Sequence, residues 1–437
     1  MALLTTPHER ALTVLFAEIV SSAAESAEAF LGTPGTLTER SNDNGTVYWV
    51  RRFTDVLNRR QEAYIGKSDD PDVAQRVAAL RERIDVANAT ATRVRLLARA
   101  GFATVDRKAY YTLASLHNHG LFRAGALLIG SHAYGALLNA LGVRAVPYAT
   151  EDVDIARREA LALPDVPPFL EMLRATGIDF YAVPTLDHRS PATSFAEPGG
   201  ARLRVDLLVP SANDDYPTIP VPELKAHAKG LPYLAYLLGA SQEVPVLSSH
   251  GAVMVRVPAP ERFAVHKLIV SQLRAKSSGK PGKDLRQAAT LIEAVTERFP
   301  GAIENALQAA PKSALRLIEQ GVEGLKTHLP ESATDAWQSL GLFRPAKDIL
   351  IDSAPHRRGT GMQRYANHSG NSSIVAYQLG PTSITVKFAG DRFYMYTYES
   401  AGAENVERMK ELAVSGRGLS SFISTKVRDD YEQKFGW

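Results

Sequence analysis

Two aspartates two positions apart, Asp152 and Asp154, stand in the run Glu151-Asp152-Val153-Asp154-Ile155, and a third, Asp206, stands inside the apolar run Leu203-Arg204-Val205-Asp206-Leu207-Leu208. On a strand, residues i and i+2 point to the same side, so Asp152 and Asp154 share a face. If the strand carrying Asp206 lies alongside, three carboxylates converge. That demand restricts the chain to folds in which these two strands share a sheet. Upstream, the apolar run Ala126-Leu127-Leu128-Ile129 breaks at Gly130-Ser131, and a helical segment follows from Ala133 to Leu141. A strand-to-helix junction of this kind exposes backbone N–H groups where the helix dipole favours phosphate.

Between 126 and 210 the pattern reads strand, helix, strand, helix (168–176), strand (180–184), loop and strand (203–209). No Gly-x-Gly-x-x-Gly follows the first strand, so a dinucleotide-binding fold is excluded. The expected class is α+β: a mixed sheet with flanking helices. A second short strand pair is expected at Val244–Leu247 and Val253–Val257. Pro260-Glu261 then opens a helix on which Lys267, Ser271 and Arg274 fall at i, i+4 and i+7, one face. Lys283 starts the next helix, and further helix runs to about 343. The Gly-Lys pairs at 279–283 lack Walker spacing and are not a P-loop.

The three aspartates suit a divalent ion. Mg²⁺ takes a few carboxylates together with phosphate oxygens and water, and transfer of a nucleotidyl group needs charge neutralisation and alignment more than covalent help. Asp152, Asp154 and Asp206 are therefore the candidate catalytic and metal-binding residues, with Mg²⁺ (or Mn²⁺) as cofactor. Gly130 and Ser131 are the candidate phosphate grip, and Lys267, Arg274 and Lys283 the candidate cations for the triphosphate of an NTP donor. His266 reads as a packed histidine.

The N-terminal stretch reads as a helix over 8–31, a hairpin turning at Asn44-Gly45, and a helix starting at Asp70-Pro71. The arginines between 76 and 99 read as a solvated helix face. A helix over 104–122 ends at His117-Asn118-His119, whose spacing does not suit a metal. After a Pro/Gly/Ser-rich linker at 353–372, strands at 374–379, 384–388 and 393–398 and a helix at 403–413 form a small separate domain. The expected organisation is thus an N-terminal helical region with hairpin (1–118), a catalytic segment (119–225), a mainly helical segment (226–345), and a linker with a small α+β domain (346–437).

Composition narrows the setting. The 437 residues contain no cysteine, which removes disulfides, thiolate metal sites and cysteine nucleophiles. Lys and Arg number 50 against 47 Asp and Glu, a balance of +3 that tolerates a nucleotide or nucleic-acid partner without resembling a DNA-coating protein. The absence of a long apolar run and of a basic, apolar leader leads to the expectation of a cytoplasmic protein with no membrane partner.

Taken in order, Gly130-Ser131, Asp152-Val153-Asp154 and Asp206 resemble the signature of the DNA polymerase β-type nucleotidyltransferase superfamily. The runs Leu128-Ile129-Gly130-Ser131-His132-Ala133, Arg204-Val205-Asp206-Leu207-Leu208-Val209-Pro210, Arg262-Phe263-Ala264-Val265-His266-Lys267 and Lys283-Asp284-Leu285 resemble a bacterial family of stand-alone members, over roughly residues 10–345. These are similar to the minimal nucleotidyltransferases of toxin–antitoxin and abortive-infection systems. The resemblance implies transfer of an NMP from an NTP to a hydroxyl of RNA, such as a tRNA 3′ end, or of a protein. It leaves open the NTP, the acceptor and the oligomeric state.

Residues 357–437 resemble a KTSC domain through Asn371-Ser372-Ser373-Ile374, Tyr394-Met395-Tyr396 with Tyr398, and Gly418-Leu419-Ser420-Ser421-Phe422-Ile423. That resemblance implies an RNA-binding module. Tyr394, Tyr396 and Tyr398 would alternate on one strand, either stacking bases or forming the small domain's core. The other reading of the whole chain is a non-catalytic RNA- or protein-binding protein acting through this module.

Overall fold

The computed structural model describes residues 4–341 apart from 147, 149, 164–165, 186–189, 200–202, 213–215 and 275–278, and residues 362–435 apart from 369–371, 381 and 390–391. Most of the expected linker at 353–372 lies outside the described residues. The chain divides into two compact units, Met1–Asp348 and Ile349–Trp437. Among the described residues no helix is long and apolar enough to cross a membrane.

The first unit opens with a helix, Arg10–Glu25, shorter than the 8–31 expected. A three-stranded antiparallel sheet follows: Thr36–Ser41, Val47–Thr54 and Arg60–Lys67. Its first turn is made by Asn42, whose side-chain oxygen accepts from the Thr46 N–H, with Gly45 at φ +78°. The helix Pro71–Arg99 is capped by the Asp70 carboxylate, which accepts from the Asp72 N–H. Its arginines lie on the solvated side; Arg83 and Arg93 reach Glu28 and Glu18 at 3.5 and 3.6 Å. Surface pairs of that kind contribute little.

The helix Arg107–Asn118 is buried along most of its length. Nδ1 of His117 and of His119 each lies within hydrogen-bonding distance of a backbone carbonyl, of Met254 and Ser115.

The central sheet is mixed. Its main path runs Thr218–Val221, Ala226–Leu231, Arg204–Pro210, Asp152–Ala156 and Leu127–Ile129, and Ser194–Ala196 with Tyr181–Ala182 extends from the first half of Arg204–Pro210. Arg204–Pro210 pairs parallel with both Asp152–Ala156 and Ala226–Leu231. The sheet therefore runs past residue 225, the expected edge of the catalytic segment. Ala226–Leu231 lies where a helical segment was expected because it pairs with Thr218–Val221 as an antiparallel hairpin and hydrogen-bonds to Leu208–Pro210.

Alternation sorts the two inner strands. Val153, Ile155, Val205 and Leu207 are all at most 1% exposed and face the core, which leaves Asp152, Asp154, Arg204 and Asp206 on the opposite face. A hairpin of Ser241–Ser248 and Gly251–Pro258 follows, then the helices Pro260–Leu273 and Lys280–Arg298. Phe263, Leu268, Leu291 and Ile292 of these helices lie in the same core cluster as the strand residues. Each such side chain contributes about 2 kcal/mol from burial. Helices Ala302–Gln308, Leu315–Gly324 and Thr334–Gly341 complete the unit.

The second unit has an antiparallel sheet in chain order, Gln363–Arg364, Ile374–Leu379, Ser383–Phe388, Arg392–Thr397 and Gln433–Phe435, with helices Ala403–Ser415 and Leu419–Lys426. Tyr398 is not on the strand with Tyr394 and Tyr396. The strand ends at Thr397, whose hydroxyl caps a short helix beginning at Tyr398. Tyr396 is 1% exposed, in a core with Ile374, Val386, Met409 and Ile423. Tyr394 packs edge-on against Phe388 and Tyr431. Tyr396 therefore belongs to the unit's interior, and Tyr394 and Tyr398 are partly buried against that core.

Candidate active site

Strand register assembles the site. Ile129 is opposite Asp154, Asp154 is opposite Asp206, and Asp206 is opposite Ser194, so one row crosses four strands. In the adjacent row Arg204 stands opposite Asp152. Asp152, Asp154 and Asp206 are thus brought to one face, with Gly130 following directly on the row's first residue.

The helix begins at Gly130 itself, three residues before the expected Ala133, and runs to Ala140. Gly130 has φ +72°, and a Cβ there would overlap the Asp154 carboxylate. Only glycine lets this turn and the carboxylate approach so closely. Ser131 is the next residue of the helix and lines a cavity of about 510 Å³ with His132, Tyr134, Tyr148 and Phe102. His132 is buried, its Nε2 has no hydrogen-bond partner among the described residues, and burial holds its pKa below the ordinary histidine value.

Charge at the centre is unbalanced. Burial, reinforced by Asp206 and Asp152, pushes Asp154 up to about 6, with Lys267 and Arg274 pulling the other way. Asp206 accepts hydrogen bonds from Ser194 Oγ and, at 2.9 Å, from Arg204 Nε; Arg204 Nη2 also donates to Ser194 Oγ at 2.7 Å. Burial alone would lower the Arg204 pKa, but the bond to Asp206 and the charges of the three aspartates raise it.

Lys267 stands on the helix and Arg274 directly after its last residue, Leu273, in extended backbone rather than on the expected helix face, yet both point at one residue. Lys267 Nζ lies 2.8 Å from Asp284 Oδ1, and Arg274 Nη1 lies 2.7 Å from Oδ2. Asp284 is fully buried and Lys267 nearly so. Both cations are paired with this one carboxylate, and their charges reach Asp154 through space. Asp284 was legible only as part of the run after Lys283, because its role depends on two helices packing together. His266, packed as expected, is driven down to about 3 by burial and by the neighbouring Lys267 and Arg274. Lys283 holds its ammonium 5.4 Å from the ring centre of Tyr148, a residue that lines the Ser131 cavity.

Residues 107–312 match a family model described as nucleotidyltransferase. That span carries Gly130, all three aspartates, Lys267 and Asp284. No curated protein matches the chain. Among solved structures, the chain is similar to the crystal structure of an antigenic nucleotidyltransferase-like protein from Paracoccidioides brasiliensis, at 16% identity over 52% of this chain and 94% of that one, with a TM-score of 0.27. That score is too low to carry a structural argument. The family match points to nucleotidyl transfer as the general class of chemistry.

The donor set suits a hard divalent cation: three carboxylates on one face, one of them with its pKa raised by burial and then by the other two. Among the described residues, however, no three such side chains already stand as a metal-holding group. Asp206 is drawn instead toward Arg204 and Ser194.

Proposed function

We propose that the protein is a Mg²⁺-dependent nucleotidyltransferase that moves an NMP from an NTP to a hydroxyl of RNA or of a protein. The observation that carries this reading is the row Ile129–Asp154–Asp206, beside which the Gly130 turn at a helix start abuts the Asp154 carboxylate. Asp152, Asp154 and Asp206 would hold the metal, which supplies neutralisation of phosphate charge and lowers the cost of the developing negative charge. For that, the Asp206 carboxylate would turn partly away from Arg204.

Gly130 and Ser131 would receive the donor's terminal phosphates at the helix N-terminus. The adjoining cavity, with Tyr148 beneath Lys283, would take the nucleoside. The Lys267–Asp284–Arg274 cluster carries two positive charges against one negative, and that excess would favour the triphosphate without direct contact. Asp206, at the far end of the carboxylate row, would take the acceptor's proton.

A cytoplasmic setting, a KTSC-like second unit and a role as a defence or toxin–antitoxin effector belong to the same proposal. The test is label transfer from α-labelled NTP to total RNA and protein. Asp152→Ala with Asp154→Ala abolishes it while circular dichroism shows the fold intact; full activity in that variant removes the assignment.

A further inference from the structure

Asp206 has a second neighbourhood besides Asp154. On its Ser194 side a cavity of about 390 Å³ is lined by Thr193, Ser194, Arg204, Asp206, Leu208 and Lys229. Its charge is set by register. Arg204 precedes Asp206 by two on the same strand, and Lys229 is opposite Leu208, two residues after it. One face of the sheet therefore presents cation, carboxylate, cation along the strand direction. Lys229 is exposed, and its ammonium lies 5.4 Å from the ring centre of Tyr216. Tyr216 is 41% exposed and held at φ +52°, a backbone conformation that a tyrosine adopts only under constraint. A cation beside an exposed ring is the combination that binds a phosphate and stacks a base.

We propose that this cavity is the acceptor site, and that the acceptor is a hydroxyl carried by a phosphate-bearing molecule: the 3′ end of an RNA strand, or a free mononucleotide of the same chemistry. This rests on the nucleotidyl-transfer reading and narrows it. The donor lies on the Gly130 side of the carboxylate row and the acceptor on the Ser194 side, with Asp206 between them. The acceptor oxygen forms a bond to the donor's α-phosphorus, and its proton passes to the Asp206 carboxylate and then to water. The bond from the α-phosphorus to the bridging oxygen breaks, and its electron pair leaves on pyrophosphate. A protein hydroxyl would bring no phosphate for Lys229 and no base for Tyr216.

The test uses the full chain, a mixture of α-labelled NTPs, an RNA oligonucleotide with a free 3′ hydroxyl, the same oligonucleotide with a 3′-deoxy end, a mononucleotide and a protein mixture. Label enters the free-ended oligonucleotide and not the 3′-deoxy one. Lys229→Glu raises its KM about tenfold and lowers the salt slope of binding by about one, Lys229→Arg restores both, and the KM for NTP is unchanged. If the source is a strand, Tyr216→Ala also raises the oligonucleotide KM. Labelling of the mononucleotide with the same Lys229 dependence and no Tyr216 dependence supports the site with a free nucleotide as its ligand. An unchanged acceptor KM in Lys229→Glu, or label on protein alone, overturns the proposal and leaves nucleotidyl transfer standing. Failure to release pyrophosphate with any acceptor overturns both.

Discussion

The Asp154 carboxylate packs so closely on the backbone of Gly130 that a methyl group at position 130 would overlap it. The glycine turn and the carboxylate are one structural object, built by the pairing of Ile129 with Asp154 across two antiparallel strands. Gly130→Ala should displace Asp154 and strain a residue at φ +72°. The expected loss is about 1–3 kcal/mol of stability, together with loss of the Mg²⁺-dependent rise in melting temperature. Thermal unfolding with and without Mg²⁺ measures both.

Asp154 makes stability depend on pH in a stated direction. Its folded pKa, raised to about 6, lies above the unfolded value near 4. Such a group favours the folded state at low pH, and that contribution is lost as pH rises through 6. Asp154→Asn should therefore stabilise the metal-free protein at pH 8, by at most about 3 kcal/mol, and the gain should vanish as pH falls from 6 to 4. Denaturant unfolding at pH 8 and pH 4 checks the sign. Mg²⁺ should stabilise the wild type above pH 6 and leave the variant unmoved.

Asp284 is fully buried between two cations. Asp284→Ala leaves Lys267 buried without its counter-ion and should cost about 3–5 kcal/mol. Arg274→Ala should cost much less, since that side chain is 42% exposed and Lys267 keeps its bond to Asp284. Comparing the two in denaturant unfolding tests whether the cluster is a structural clamp centred on Asp284.

In the second unit, Tyr396 is a core residue. Tyr396→Ala should destabilise that unit by about 3–5 kcal/mol. Wild-type stability in the variant, with loss of RNA binding alone, would instead indicate a stacking role.

The carboxylate row was readable in the sequence because strand alternation is local: Val153, Ile155, Val205 and Leu207 announce a buried face, and the aspartates fall on the other. The partners of Lys267 and Arg274 were not readable, since Asp284 meets them only when two helices pack. Arg204 was equally silent, because its bond to Asp206 looks like any charged residue two positions away. Ala226–Leu231 was missed as a strand because His227, Lys229 and Gly230 dilute its apolar pattern, and its place is fixed by pairing with Arg204–Pro210. Tyr398 was misplaced by one element, where a threonine cap overrides the alternation of Tyr394 and Tyr396.

The central claim is that the α-phosphorus is the atom attacked at the carboxylate row. Parallel incubations with α-labelled and γ-labelled NTP, Mg²⁺ and an RNA acceptor test it most directly. The account predicts covalent α-label on the acceptor, γ-label in pyrophosphate only, and neither product in the Asp152→Ala/Asp154→Ala variant. Covalent γ-label on the acceptor, or α-label transfer that survives loss of both aspartates, would contradict it.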